Sequence, residues 1–190
     1  LGINVEIRYY PWERSLFSAN HGKTDADLFR STVDHEKYPN LMKVNVPIGN
    51  VEIMVYTKDI QLKITGWDSV RSYRLGIIRG IKTVEKHTQG MRVERVSSFE
   101  QAFKKLNHGR SDLVISTRIT SLIVLKKLGF NDIRELQPPL KTIPIYHYLH
   151  NSRSDLVPRL EEQLRSMKAR GEIKTIQDRI LQRLLESSNE

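Results

Sequence analysis

Hydrophobic and polar residues along the chain alternate between a strand-like and a helix-like pattern. Residues 3–9 place apolar side chains at every second position, which predicts a strand. Pro11 suits the first turn of a helix, and a helix is predicted over about 12–20. Residues 25–29 predict the next strand, and residues 44–57 predict a long extended segment. The N-terminal part is therefore expected to contain both strands and a helix.

The rest of the chain continues in the same way. Pro138 and Pro139 are expected to interrupt it before an extended segment over 143–149. Strands that alternate with helices favour an α/β fold with mainly parallel sheets. Further strands are predicted at 75–78, 91–96 and 112–116, and helices from about residue 82, at 99–107, at 120–128, and on either side of Gly171.

One unit occurs twice. Residues 12–28 and 99–115 each read as an amphipathic helix, Asn-His-Gly, a cation, a small hydroxyl residue, an aspartate and an apolar strand. Glycine after the last helical turn accepts a positive φ and ends the helix. The repeat predicts two similar α/β lobes with a cleft between them. Chance similarity between two ordinary helix-to-strand turns remains the alternative.

Composition limits the function classes. The chain has 190 residues, a formal charge of +9 and no cysteine, which excludes disulfides and thiol chemistry. No apolar run approaches the roughly 20 residues of a membrane span, and no signal peptide is visible, as in a mature exported chain. Residues 71–110 hold ten Lys or Arg and three Asp or Glu, a net of +7. This basic segment predicts either an anion-binding surface or a solvated face.

Neither nucleic-acid binding nor catalysis is expected. The basic segment has few aromatic residues and no recognisable nucleic-acid-binding motif. The six histidines show no metal-ligand spacing, and neither a nucleophile motif nor a catalytic carboxylate pair is visible. We therefore expect a non-enzyme without a metal or other cofactor.

Candidate ligand-binding residues follow from strand ends, where open parallel sheets bind ligands. The repeat aligns Arg30 with Thr117, and both come at the end of a predicted strand, as does Ser116. Arg30 could donate two hydrogen bonds to a carboxylate or phosphate. A loop arginine exposed to solvent is the alternative.

Two further groups of candidates lie at predicted helix starts. Arg79, Lys82 and Thr83 belong to a strand-to-helix turn whose backbone N–H groups suit an anion, with plain helix capping as the alternative. Trp12 and Arg14 flank the start of the first helix. Trp12 either lines the cleft or fills the core of its lobe.

Taken together, these stretches resemble the extracytoplasmic solute-binding proteins of family 3, the amino-acid-type substrate-binding proteins of ABC transporters with a type II periplasmic-binding-protein fold. The resemblance implies two lobes that close by a hinge around a small polar ligand. Lobe one would be 1–57 and 150–190, lobe two 63–140, and the crossovers 44–62 and 141–149. The matching stretches are 10–14, the two Asn-His-Gly units, 75–80, 112–115, 145–150, 155–158 and 167–171.

The chain departs from this family in two places. The family's usual first strand and helix have no counterpart before Ile3, so the first lobe is expected to be incomplete at its N-terminus. The predicted first strand, a second copy in a homodimer, or further residues of a longer protein could fill the gap. The family arginine is absent from 32–36, and the family aspartate falls near Ser116 or Thr117, which are neutral. An anionic or neutral polar ligand is therefore at least as well supported as an α-amino acid.

The leading hypothesis is a periplasmic, non-enzymatic solute-binding or ligand-sensing protein that works with a membrane permease or a sensor protein. A degenerate binding module that acts as a scaffold or dimer is the second hypothesis. An enzyme on the same fold is the third, although no residue of the sequence stands out for catalysis.

Overall fold

The chain divides into two compact units. A computed structural model describes residues 1–186, without the side chain of Trp12. Leu1–Asn50 and Ile143–Asp178 form the first unit, and Val51–Thr142 forms the second with the residues from Arg179 onward. Residues 187–190, assigned to lobe one from the sequence, lie outside the described residues. Both units combine strands with helices.

Thirteen helices and strands follow one another along the described residues. Three of them, β3, β7 and α6, begin in one unit and end in the other. In chain order the elements are α1 (Trp12–Asn20), β1 (Ala26–Arg30), β2 (Leu41–Lys43), β3 (Gly49–Thr57), β4 (Leu75–Ile78), α2 (Lys82–His87), β5 (Val93–Val96), α3 (Phe99–Asn107), β6 (Leu113–Thr117), α4 (Arg118–Leu128), β7 (Arg134–His150), α5 (Leu156–Ala169) and α6 (Glu172–Glu186).

The first unit is built around the C-terminal part of β7. Both β1 and β2 pair with it in the antiparallel direction, with Asp27 opposite Tyr148 and Met42 opposite Leu149. Helix α1 buries one face, since Leu16 and Ala19 are three residues apart and both inaccessible to solvent. The buried residues that pack together here are Leu16, Ala19, Val33, Tyr38, Leu41 and Tyr148.

The second unit has β6 between β3 and β4, and β4 between β6 and β5. Strand β4 runs parallel to β5 and to β6, whereas β3 is antiparallel to β6. All four residues of β4 are buried, as expected of a parallel strand that is covered on both faces. One cluster of buried residues in this unit comprises Met54, Tyr56, Ile78, Val96, Ala102, Phe103, Leu106, Val114, Val124, Leu125 and Ile133.

The prediction of a strand over residues 3–9 is wrong. Residues 1–11 have no regular secondary structure, and Ile3, Val5 and Ile7 are exposed. The alternation is strand-like, but a strand requires a neighbouring strand for its backbone hydrogen bonds. Among the described residues, none pairs with this segment.

Two other expectations are corrected by β7. The first unit was expected to contain parallel strands, but β7 returns from the second unit in the direction opposite to β1 and β2. The two parallel pairs described for residues 1–186, β4 with β5 and β4 with β6, both lie in the second unit. Pro138 and Pro139 lie inside β7 and do not interrupt it. Proline keeps an extended φ and can remain in a strand where its missing N–H is not needed by the ladder.

The two Asn-His-Gly turns have the same backbone structure. Gly22 and Gly109 both have φ +67°. In each turn the histidine, the glycine and the following cation donate backbone hydrogen bonds to carbonyls four, three and five residues earlier, at 2.9–3.1 Å. The ring Nδ1 of His21 and of His108 lies 2.8 Å and 2.6 Å from the carbonyl oxygen four residues earlier. The histidines and glycines therefore end their helices, as the sequence predicted.

Candidate ligand-binding site

In the first unit, Arg30 is buried in an ion pair with Asp27. The Arg30 Nε lies 2.5 Å from Asp27 Oδ2, and the side chains are 4 % and 3 % exposed. The hydroxyl of Ser15 on α1 donates to Asp27 Oδ1 at 2.6 Å. The sequence singled out Arg30 but not its two partners. The sequence signal for this ion pair was the spacing of Asp27 and Arg30, two opposite charges three residues apart.

A shift in the register of β1 positions the side chains of Asp27 and Arg30. The register with β7 shifts between Asp27 and Arg30, and Phe29 between them has φ +70°. Both Asp27 and Arg30 are buried while Leu28 and Phe29 are exposed. The shift allows two polar side chains three residues apart to turn inward together.

The other candidates of the first unit lie on α1. Arg14 is exposed, and its guanidinium carbon lies 5.6 Å from the centre of the Tyr10 ring. The predicted role of Trp12 as a cleft or core residue concerns a side chain outside the described residues.

In the second unit, the strand register brings several candidates to one edge. Ile77 of β4 is paired with Ile115 of β6, and Arg79 and Thr117 each follow two residues later. Both residues therefore come at the carboxyl ends of neighbouring parallel strands, where α/β sheets usually bind ligands. Glu52 reaches the same edge from β3, because the next residue, Ile53, is paired with Thr117.

The turn between β4 and α2 carries its own anion. The N–H of Gly80 donates to Glu85 Oε1 at 3.0 Å. Lys82 is 90 % exposed, with its Nζ 4.0 Å from Glu85 Oε2, and Thr83 accepts a hydrogen bond from His87 through its carbonyl. The Glu85 carboxylate thus accepts a hydrogen bond from one of the backbone N–H groups that the sequence analysis had predicted to bind a ligand. Glu85, three residues after Lys82, was missed by the sequence reading.

Ser116 and Thr117 differ in their access to solvent. Ser116 is fully buried, and its hydroxyl has no hydrogen-bond partner among residues 1–186. Thr117 is partly buried and precedes the first residue of α4, and its carbonyl accepts from the Ser121 hydroxyl at 2.7 Å. Of these two residues, Thr117 is the one that a ligand at the strand end could reach.

An ion-pair network at this edge was not predicted. Arg118, the first residue of α4, lies 3.0 Å from Glu52 and 2.7 Å from Glu135 through its two terminal nitrogens. Gln137 donates to Glu135 at 2.9 Å. With one cation and two carboxylates, the network carries a net negative charge. Glu52 alternates with apolar residues on its strand, but only the fold brings Glu135 beside it.

Two buried titratable groups have pKa values shifted by their burial. Burial raises the pKa of Tyr56, which is the direction expected for a phenol removed from water. Burial lowers the pKa of His147 in the first unit, which keeps that imidazole neutral. Residues 1–186 contain no group of three or more His, Asp or Glu side chains placed to hold a metal ion.

Comparisons with known proteins place the fold but not a named family. No known protein-family profile matches the chain. An uncharacterized protein from Shewanella oneidensis is 26% identical over 179 residues, covering 90% of this chain and 67% of that protein. None of the helices within residues 1–186 is long and apolar enough to cross a membrane.

Solved structures of binding and sensor domains are similar to the chain. The second substrate-binding domain of a Streptococcus pneumoniae protein has a TM-score of 0.69 and 17% identity over 95% of this chain and 83% of that chain. A substrate-binding protein of an amino acid ABC transporter has values of 0.59 and 16% over 94% and 80%. A histidine kinase sensor domain with similarity to periplasmic binding proteins has 0.62 and 12% over 88% and 74%. The chain therefore has the mixed α/β fold of periplasmic-binding-protein-like domains.

Proposed function

We propose that the chain is a non-enzymatic, extracytoplasmic solute-binding or sensing domain for a small polar ligand. The observation that carries the proposal is the strand-end edge of the second unit. There, Arg79 follows β4, Thr117 ends β6, and Lys82 and Thr83 begin α2. Open parallel sheets bind ligands at such an edge. The solved structures with a similar fold include a substrate-binding protein and a sensor domain. The lobe boundaries predicted from the sequence are retained as part of this proposal.

The charges at this edge restrict the ligand. Thr117 offers a hydroxyl where a carboxylate would be needed to hold an ammonium group. Arg79 and Lys82 offer positive charge, whereas the carboxylates beside Arg118 are already engaged in ion pairs. These groups suit an anionic or neutral polar molecule. Amino acids are retained as test ligands because the edge carries both signs of charge.

A thermal-shift panel tests the proposal. Amino acids, dicarboxylates, tricarboxylates and sugars would each be added to the purified chain. A ligand at about a hundred times its Kd stabilises by about 2.7 kcal/mol, which raises the Tm of a chain this size by about 5–10 °C. Arg79→Ala and Thr117→Val should reduce the shift, whereas Arg71→Ala, at an exposed pair with Asp68, should preserve it. No shift with any compound would contradict the proposal.

The partner of such a domain is a membrane permease or a membrane-bound sensor protein. In transport, the ligand-bound domain must release its ligand to a permease. In sensing, the ligand-bound domain contacts a sensor protein instead. A pull-down with the ligand-loaded and ligand-free chain, using membranes of the source cell, distinguishes the two by the protein captured. Capture that does not depend on ligand would speak against both.

A second candidate function, assembly through the first unit, has its own observation. Leu28 and Phe29 on β1 are 45% and 53% exposed, and β1 has a paired neighbour only on the β7 side within the described residues. A homodimer that covers this edge would bury both side chains. Light scattering after size exclusion checks this directly. A dimer that Phe29→Asp dissociates favours assembly, and a monomer at all concentrations contradicts it.

A further inference from the structure

A basic cavity lies in the second unit, at the end of β5 and along α3. Its volume is about 490 Å³, within the usual size range of small-molecule sites. Four cations, a hydroxyl and an amide face it, and no carboxylate lines it. The lining residues are Arg79, Arg95, Val96, Ser97, Gln101, Lys104 and Lys105. Only Arg79 is shared with the ligand site proposed above.

Local structure explains why the cations converge. The N–H of Arg79 donates to the carbonyl of Val96 at 2.9 Å, which joins the ends of β4 and β5. Gln101, Lys104 and Lys105 lie three and four residues apart on α3 and so share one helix face. The cavity is therefore formed by neighbouring secondary-structure elements whose backbones are fixed by their own hydrogen bonds.

These cations are not neutralised in the way that others in the same unit are. Arg74 lies 2.6 Å from Asp112, and Lys58 lies 2.8 Å from Asp132. In the cavity, only Lys105 contacts a carboxylate, that of Glu94 on β5. Within residues 1–186, the charged groups of the other three cations, Arg79, Arg95 and Lys104, form neither a hydrogen bond nor an ion pair.

The carboxylate of Glu100, at the start of α3, is engaged by its own backbone and by Ser98. Glu100 has a lowered pKa, chiefly because its carboxylate accepts a hydrogen bond from its own backbone N–H, with a smaller contribution from the Ser98 hydroxyl. Lys127 and, to a smaller extent, Lys104 attract it without forming an ion pair. Like charges gathered around one cavity repel each other, and a bound anion of two or more charges would remove that repulsion.

We propose that this cavity binds a phosphate-bearing anion. The guanidinium groups of Arg79 and Arg95 match phosphate oxygens through paired N–H donors, and Lys104 adds a point charge. The Ser97 hydroxyl lies 3.1 Å from Gln101 Oε1 and can rotate to donate to a phosphate oxygen instead. The phosphate could belong to a free anion or to a lipid headgroup, since both present the same chemistry to the cavity.

The test compares two double variants of equal charge. Arg95→Gln with Lys104→Gln removes two cavity cations, and Lys126→Gln with Lys127→Gln removes two exposed cations from the end of α4. Calorimetry with inorganic pyrophosphate would be run on both variants and on the unaltered chain. Sodium chloride of equal ionic strength is the control for screening. Circular dichroism establishes that each variant remains folded.

We expect pyrophosphate to bind the unaltered chain and the α4 variant alike, and the cavity variant at least tenfold more weakly. Vesicles of phosphatidylglycerol, compared with phosphatidylcholine, provide the lipid arm. Binding to pyrophosphate assigns a free anion, and binding to phosphatidylglycerol alone assigns a lipid headgroup. Equal loss in the two variants, an equal effect of sodium chloride, or no binding in either arm overturns the proposal. The ligand panel on Arg79→Ala is a separate experiment, so the two proposals can fail independently.

Discussion

The two Asn-His-Gly turns are nearly the same, but the strands that follow them are not. Each turn closes with the same three backbone hydrogen bonds, and each is followed by an aspartate paired with an arginine, Asp25 with Arg153 and Asp112 with Arg74. Yet β1 is an irregular antiparallel strand at a sheet edge, while β6 is an internal strand with a parallel neighbour. The local sequence determines the turn, and the surrounding sheet determines the strand.

The same difference appears at the aligned positions Arg30 and Thr117. Arg30 is turned inward by the register shift and is held by Asp27, whereas Thr117 lies at the open end of β6. Equivalent positions in a repeat can therefore serve a structural role in one unit and remain accessible in the other.

The largest effect is expected at Arg30. Arg30→Leu leaves the Asp27 carboxylate buried without its cation and should destabilise the chain by about 3–5 kcal/mol. Thr117→Val, at the aligned position, should cost less than about 1 kcal/mol. Urea unfolding at neutral pH measures both. Similar losses at the two positions would show that the contrast between them is wrong.

Next come the two glycines. Gly109→Ala forces a side chain into a left-handed conformation, at a cost of about 1–2 kcal/mol, but meets nothing within 4 Å. Gly22→Ala adds a contact at 3.3 Å with the His150 ring and should therefore cost more. Thermal unfolding of the two variants side by side measures the difference. If Gly109→Ala were the more damaging, the turns would not be equivalent.

A smaller effect is expected at the start of the repeated helices. The Ser98 hydroxyl accepts from the N–H of Gln101 at 3.2 Å and caps α3, whereas α1 follows Pro11 without a side-chain cap. Ser98→Ala should cost about 1 kcal/mol. Ser97→Ala is the matched control, because its hydroxyl contacts only a side chain, and should cost less than about 0.5 kcal/mol. Equal losses in chemical denaturation would contradict the assignment of the cap.

The smallest effect depends on pH. Arg74 lowers the pKa of Asp112, so the carboxylate stabilises the folded chain above its ordinary pKa near 3.8, and that stabilisation is lost as pH falls through the lowered value. Asp112→Asn should cost about 0.5 kcal/mol at pH 7, and the difference from the unaltered chain should shrink below about pH 4. Unfolding at several pH values measures it. Asp25→Asn, at the more exposed pair, should have little effect.

Much of the second unit could be predicted from the sequence. The helix predicted over 99–107 is confirmed at both ends, and the predicted end of the next helix at residue 128 is confirmed, with Gly129 after it in a left-handed conformation. These features depend on residues close together in the chain, such as a serine cap and a glycine stop. Local signals were sufficient because each element carries its own start and end.

The first unit could be predicted less well. Its sheet joins β1 and β2 to β7, more than a hundred residues later, and no local pattern contains the direction of that return. The strand-like pattern of 3–9 is present in the sequence, but its partner is not found among the described residues. Both the direction of β7 and the absence of a strand over residues 3–9 depend on pairing between distant parts of the chain. The local pattern of hydrophobic and polar residues does not determine either.

The candidate site shows the same limit. Arg79 and Thr117 were expected at strand ends, and the register places them there. Arg30 was also expected at a strand end, but its burial follows from an irregular register that the sequence does not reveal. Glu52, Glu135 and Arg118 meet only in three dimensions. Whether the predicted residues contact a ligand stays a prediction.

The passage of β3 and β7 between the units has a consequence for synthesis on the ribosome. Apart from the end of α6, the second unit is one continuous segment, whereas the first needs residues from both sides of it. Leu1–Asn50 is made more than ninety residues before Ile143. At ordinary translation rates this is a wait of roughly 5–20 s, during which β1 and β2 have no β7 to pair with and their apolar side chains stay exposed to aggregation.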